Sequence, residues 1–360
     1  MKRVWTILGG GNGGQSIAGH LAWLGEQVRI YDVVPETVEA LNKKGCIEMH
    51  HAIEGSGPIE FATTDIAKAM DGATIVMMVL PSIYHRSMAE KIIPHLKDGM
   101  TVLLHPEASC GAIAFRKAMK DLNCSADIVL GAAGTLLYTT RIEENGVVHI
   151  FSIKNDVPMA ALPASDNEKL AEAIRPVLPN FHLVENVLVT SLGNINAMMH
   201  PAPMLLNTSR IEADPFVPFE YYHEGMTPSI GKYVEAEDRE RVAVAAAFGI
   251  KLRSIREDYV VMYACGDENT PLYRLCKNNP GYTGVMTHNT LHTRYCMEDI
   301  PYSLVAIQAI AKIAGVATPC IDAIVQIGRT ILDDMDEGRT PEALGIAQMT
   351  GEELLKYVNG

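Results

Sequence analysis

Short apolar runs and longer stretches with helical spacing alternate through the first half of the chain. Residues 3–8 (Arg-Val-Trp-Thr-Ile-Leu) read as a short buried strand, and the glycine run after them opens a helix with apolar positions at Ile17, Leu21 and Leu24. A second strand runs from Gln27 to Tyr31 and ends at Asp32. Thr74–Leu80, Met100–Leu104 and Ala126–Leu130 are further apolar runs, separated by helix-like stretches such as 83–94 and 111–121. Strand alternating with helix predicts an α/β unit built on a parallel, doubly wound sheet.

Between about 134 and 184 the pattern turns to shorter strand-like runs, notably Gly146–Ile153 and Phe181–Val184, with a helix-like stretch at 167–178. These close a first domain over residues 1–185. From 186 onward strand signals fade and helical patterns dominate, as in Val234–Phe248, Leu304–Ala314 and Ile321–Leu332, so residues 186–360 are predicted to form a mainly helical second domain. No Gly/Ser linker or internal repeat marks the boundary.

Composition agrees with two ordered domains. The 360 residues exceed what one core usually supports, roughly 250–300, and 48% hydrophobic with 20% charged is ordinary globular usage. A formal net charge of −13 with no compensating run of Lys or Arg argues against nucleic acid as a partner. The apolar stretch after Arg3 reaches only Leu8, too short for an export signal, and no later run is long enough to span a bilayer. The seven cysteines are odd in number and contain no C-x-x-C pair, which suggests neither a disulfide framework nor a zinc site. A reducing cytoplasm and no metal are expected.

Ile7-Leu8-Gly9-Gly10-Gly11-Asn12-Gly13-Gly14 satisfies G-x-G-x-x-G, with Gly9, Gly11 and Gly14 at the three required places. The first glycine permits the tight turn, the second lets pyrophosphate approach the backbone, and the third lets helix and strand pack closely. The helix that starts there, at Asn12 and Gly13, points free N–H groups at the phosphates. Alone the motif is weak, but here it follows a strand, opens a helix and precedes a strand that ends in an acid 18 residues past Gly14. The first domain is therefore expected to be Rossmann-type. Asp32 would accept from the adenosine ribose hydroxyls and repel a 2′-phosphate; no Arg follows it, so NAD is expected rather than NADP. Two later strand ends, Val79-Leu80-Pro81-Ser82 and Leu104-His105-Pro106-Glu107, fall where ligands dock in open sheets, with Pro81 expected beside the nicotinamide half.

In the second domain, Asn196, His200 and Asn207 recur at helical spacing, near one face of a helix. Pro201 disfavours helical geometry at His200, so the helix should bend or break there. Downstream, Arg294-Tyr295-Cys296-Met297-Glu298-Asp299 gathers an Arg and two carboxylates. Asp299 paired with His200 would fix the tautomer of the imidazole and steady its cation, leaving the second nitrogen to move a proton. Arg294 offers a planar fork suited to a carboxylate substrate. Spacing alone does not bring the two segments together.

These residues, with Asn-Ile-Asn-Ala-Met-Met-His-Pro at 194–201 and Phe219-Glu220-Tyr221-Tyr222-His223-Glu224-Gly225-Met226-Thr227-Pro228-Ser229, resemble the opine dehydrogenase family over essentially the whole chain, with octopine and nopaline dehydrogenases among its more distant members. The resemblance implies reductive condensation: the amine of an L-amino acid joins a 2-oxo acid such as pyruvate, and the imine receives hydride from NADH. It makes His200 and Asp299 the catalytic pair and Arg294 a carboxylate-binding residue, with Asn196, Tyr222 and Thr227 around the substrate; His288 and His292 find no role. A homodimer is expected, with the apolar helices after 300 as its face. Two other readings stay open: a 2-hydroxy acid or ketopantoate-type dehydrogenase of the same architecture, and an NAD(H)-sensing protein without turnover. The first commonly uses a helix-borne lysine, and 193–207 contains none.

Overall fold

The computed structural model describes residues 3–360 and divides the chain into two units. The first runs to Ser191 and takes in Lys356–Gly360; the second is Leu192–Leu355. The division thus falls six residues beyond the expected 185/186, and the last five residues belong to the first unit, where Asn359 accepts a 3.0 Å hydrogen bond from the Asn186 amide.

The first unit is built on strands β1 (Val4–Leu8), β2 (Gln27–Tyr31), β5 (Phe61–Thr63), β6 (Ile75–Met78), β7 (Thr101–Leu104) and β8 (Val129–Ala133), which lie in the parallel order β5-β2-β1-β6-β7-β8. β6 and β7 are buried at every position, as strands covered on both faces must be. Strand order reverses between β1 and β6, so the crevice at the carboxyl ends of those two strands is the docking point of this topology. The sheet continues past β8 through β11 (Val157–Ala161) and β12 (Phe181–Leu183), but β11 runs antiparallel to β8, so the sheet is not parallel throughout.

A second sheet, β4-β3-β10-β9, joins β3 (Cys46–His51) and β4 (Gly55–Pro58) to β9 (Tyr138–Glu144) and β10 (Val147–Ile153), and packs on the helix Asn12–Trp23. Sequence periodicity indicates only β10 of these four. β4 reads Gly-Ser-Gly-Pro, which carries no apolar alternation.

The second unit is helical. Its longest helix, Pro228–Ala247, begins with a proline at its first turn and Thr227 as its cap, six residues before the apolar pattern starts. It packs against Pro201–Leu206, Leu272–Asn278, Val305–Ala314 and Pro319–Ile331. At its centre Arg241 and Asp238 form a buried ion pair, N–O 2.7 Å, whose remaining donors and acceptors reach the Leu192 and Arg253 carbonyls and the Ile255 amide. Among the described residues no helix is long and apolar enough to cross a membrane.

Candidate active site

The glycine turn has the shape its three glycines predict. Gly9 sits at φ +105°, and a Cβ there would meet the Val79 carbonyl oxygen at 2.6 Å; a Cβ on Gly14 would lie 1.8 Å from the Gly9 oxygen. Gly11, by contrast, faces open space, the side from which a pyrophosphate approaches. It precedes the helix Asn12–Trp23 without a side-chain cap, so the first-turn N–H groups are available to an anion. These features fit a dinucleotide.

Asp32 does more than end β2. Its carboxylate accepts from the Gly10 N–H and, at 2.8 Å, from the Val34 N–H, which ties the acid to the glycine turn. A carboxylate has about four lone-pair sites, so two stay available to ribose hydroxyls. The Asn12 side chain accepts from the Ile142 N–H at 2.8 Å and tethers β9. Buried Gln15 braces the same turn, donating to the Gly10 carbonyl at 2.7 Å and accepting from Gly146 N–H at 2.8 Å. Its polar group within an apolar helical face was the available signal. Pro81 stands just past β6 and leads into a short 3-10 turn, Ser82–Tyr84.

In the helical unit His200 marks a break: it separates Asn196–Met199 from Pro201–Leu206, at φ −106° and ψ −58°. Its Nδ1 lies 2.8 Å from Asp299 Oδ2, and its Nε2 lies 3.1 Å from the Tyr222 hydroxyl. The imidazole stacks on Tyr295, with centroids 3.9 Å apart and planes 10° from parallel. The Tyr221 hydroxyl donates to the His200 carbonyl at 2.6 Å. Asp299 is followed by a π-helical turn, Ile300–Leu304, a local widening that often accompanies functional sites. Buried Asn194 joins the two segments: its Nδ2 donates to Ser303 Oγ at 3.0 Å and its Oδ1 accepts from Asn196 N–H at 3.2 Å.

Burial pushes the Asp299 carboxyl above its usual range, against the pull of His200 beside it. Tyr222 is held well above the ordinary phenol value by burial and by neighbouring tyrosines, so it remains a hydrogen-bond donor. With Asp299 ionised and the imidazole neutral, Nδ1 carries the proton and Nε2 accepts from Tyr222.

The other residues that the sequence brings forward take their own positions in the helical unit. Tyr222 stacks on Tyr282 at 3.8 Å, a contact set up where 219–221 pairs with 285–287: Tyr221 N–H donates to Val285 O at 2.8 Å and Thr287 N–H to Phe219 O at 2.9 Å. Asn196 is exposed, one turn before His200, and its carbonyl accepts from His200 N–H. Thr227 Oγ1 accepts from Ile230 N–H at 3.3 Å as a helix cap. Asn207 is buried, its amide donating to the Pro203 and Gly225 carbonyls. Arg294 donates through Nε to Glu298 at 2.6 Å while its side chain is 73% exposed, so the fork still meets solvent. His288 stands edge-on to Tyr295 at 6.0 Å, and His292 is exposed. Tyr295, Tyr282 and Asn194 are the members of this constellation that spacing did not single out.

Comparison with known proteins places both units. Residues 183–332 match the family described as NAD/NADP octopine/nopaline dehydrogenase, alpha-helical domain, and residues 5–106 match NAD-dependent glycerol-3-phosphate dehydrogenase N-terminus. An opine dehydrogenase of Arthrobacter sp. (strain 1C) is 36% identical over 352 residues, 97% of each chain. A tauropine dehydrogenase of Arabella iricolor is 23% identical over 91% of each chain. A solved octopine dehydrogenase with NADH and L-arginine shares the fold, with a TM-score of 0.82 and 20% identity over 98% of each chain.

Proposed function

The chain belongs to the opine dehydrogenase family, and from that premise we propose that it condenses the amine of an L-amino acid with a 2-oxo acid such as pyruvate and reduces the resulting imine. The observation that carries the mechanism is His200 held between Asp299 and Tyr222. A neutral amine adds to the keto carbon, the carbinolamine loses its hydroxyl as water, and the imine carbon takes hydride while a proton completes the secondary amine. When bound, NADH supplies that hydride. The chain's own residues move protons and hold charges.

We assign His200 Nε2 to the proton transfers, donating as imidazolium to the departing hydroxyl and accepting as neutral imidazole from the attacking amine. Asp299 orients the ring and steadies its cation. The Tyr222 hydroxyl marks where a substrate hydroxyl or amine would meet Nε2 and shares that hydrogen bond. Asn196 and Thr227, on the turns before and after this centre, and the Arg294 fork complete the substrate contacts. Gly9, Gly11, Gly13 and Gly14 with the Asn12 backbone would hold the pyrophosphate and Asp32 the ribose, and Pro81 would border the nicotinamide half. The charge on Asp32 favours NAD over NADP.

A homodimer is supported by exposed Ile327 and Ile331 on the helix Pro319–Ile331. Seven cysteines, none in a disulfide, suit a reducing cytoplasm. The test of function is NADH consumption across a matrix of L-amino acids and 2-oxo acids. Oxidation that requires both substrates supports the proposal; oxidation with the 2-oxo acid alone would identify a 2-hydroxy acid dehydrogenase.

A further inference from the structure

The peptide between Gly10 and Gly11 has glycine on both sides, so no side chain of its own keeps it from flipping over. Its orientation matters, because a trans peptide points its C=O and its N–H in opposite directions. With the Gly10 carbonyl turned inward, the Gly11 N–H faces the open side of the turn. Flipped, the carbonyl oxygen would face that side and repel a phosphate. Among the described residues the Gly11 N–H donates to no protein acceptor, and a Cβ on Gly11 would meet nothing within 4 Å.

Gln15, fully buried in the helix Asn12–Trp23, is what turns the Gly10 carbonyl inward. Its Nε2 donates to the Gly10 oxygen at 2.7 Å and to Asn145 Oδ1 at 2.9 Å, while its Oε1 accepts from Gly146 N–H at 2.8 Å. The Gly10 oxygen can only accept and the Gly146 N–H can only donate, so one amide orientation suits both. Asn145 and Gly146 form the two-residue turn between β9 and β10. The anchor of the glycine turn therefore lies in the second sheet.

That sheet is held in register along the helix. Ile142 N–H donates to the Asn12 side chain at 2.8 Å, the Thr140 hydroxyl lies 2.7 Å from Ser16 Oγ, and the Tyr138 hydroxyl lies 2.7 Å from His20 Nδ1. Four helix residues advance roughly 6 Å and two strand residues roughly 6.8 Å, so 12, 16 and 20 meet 142, 140 and 138 in step. Gln15 stands on the same face of the helix, and the hairpin turn reaches it in a fixed place.

We propose that Gln15 is a positioning residue for the dinucleotide: braced by the β9–β10 turn, it locks the Gly10–Gly11 peptide so that the Gly11 N–H points at the pyrophosphate. This rests on the proposed placement of the pyrophosphate at the glycine turn. Asp32 holds the preceding peptide through the Gly10 N–H, so the acid and the amide fix two successive peptide planes. Gln15 acts through the backbone, and its effect belongs to ligands that carry phosphate.

Dissociation constants of NADH, ADP-ribose and adenosine for wild type, Gln15→Met, Gln15→Glu and Asn145→Ala, each below its melting temperature, test this. Gln15→Met should weaken NADH and ADP-ribose by about tenfold, since a buried acceptor loses its donor and the peptide is freed. Adenosine, which has no phosphate, should bind as before. Asn145→Ala should give a smaller loss in the same direction. Gln15→Glu separates the hydrogen bond from packing. As a carboxylate it cannot donate to the Gly10 oxygen, and it should bind ADP-ribose more weakly than Gln15→Met does. As a carboxylic acid it presents one donor and one acceptor, as the amide does, so its affinity should approach wild type as pH falls toward about 5. Gln15→Met should show no such recovery. An equal loss for adenosine, or no recovery in Gln15→Glu, would make Gln15 a packing residue and overturn the proposal. If Gln15→Met does not fold, the pH series of Gln15→Glu decides. A wild type that binds ADP-ribose no tighter than adenosine would overturn the placement of the pyrophosphate as well, whereas an undiminished ADP-ribose advantage in Gln15→Met would overturn the role of Gln15 alone.

Discussion

His200 and Tyr295 lie ring upon ring, 3.9 Å between centroids and 10° from parallel. The face of a phenol ring is electron-rich, so this stack favours the imidazolium over the neutral imidazole, by roughly 0.5–2 kcal/mol depending on desolvation. Proton transfer passes through that cation, and each 1.36 kcal/mol is tenfold in rate, so Tyr295→Leu should lower kcat by about two- to thirtyfold, whereas Tyr295→Phe, which keeps the ring, should hold it. Equal kcat for wild type and Tyr295→Leu would make the stack a packing contact only.

Asp32 has two tasks, and substitution can separate them. Its carboxylate holds the Gly10 and Val34 amides and, by the proposal, the ribose hydroxyls. Asp32→Asn keeps one acceptor oxygen but removes the charge, so NADH affinity should fall about tenfold while NADP(H) affinity rises, the charge-assisted share of a hydrogen bond being worth about 1.5–3 kcal/mol. Asp32→Ala should weaken both, because the glycine turn loses its brace. Dissociation constants for the two cofactors decide it; an unchanged preference in Asp32→Asn would remove Asp32 from the ribose site.

Local spacing made the cofactor turn legible because each of its constraints acts within a few residues: Gly9 must take a positive φ, Gly14 must pass the Gly9 carbonyl, and Asp32 ends the next strand. The break at His200 was readable for the same reason, since Pro201 acts on its neighbour. The pairing of His200 with Asp299 spans 99 residues: the chemistry of an imidazole and a carboxylate suggested it and family resemblance supported it, but spacing alone could not bring the two segments together. Tyr282 beneath Tyr222 depends on a two-segment contact between 219–221 and 285–287 that leaves no pattern in either segment.

Glu237, on the long helix of the second unit, is fully buried, and among the described residues neither of its carboxyl oxygens has a hydrogen-bond partner. Burial, with Glu240 and Asp238 nearby, holds its pKa well above the ordinary carboxylate value. The folded protein then binds a proton that the unfolded chain releases above pH about 4.5, so this group's stabilising contribution is fully present below that value and is lost as pH rises toward the folded pKa. Glu237→Met removes the unsatisfied group, whose burial costs about 1–3 kcal/mol, and should raise the melting temperature at neutral pH. The gain should shrink toward pH 4. Melting curves at several pH values test this, and a variant less stable at every pH would mean that the carboxyl stabilises the helix packing in a way methionine does not.

The dyad carries the mechanism, so its test is the most consequential. His200→Ala should remove most turnover, by about 10²–10⁴-fold, the range typical of general acid–base groups. Asp299→Asn should keep folding and NADH binding but lower kcat, because an amide at 2.8 Å from Nδ1 neither fixes the productive tautomer nor balances the imidazolium. The double mutant provides the sharper measurement. An orienting carboxylate has nothing left to orient once the imidazole is gone, so the combined loss should match His200→Ala alone. Multiplying losses would mean that the two residues act on separate steps, with Asp299 binding substrate or supporting the π-helical turn that follows it. Independent losses of that kind would remove the proton-transfer role from the pair while leaving the cofactor site untouched.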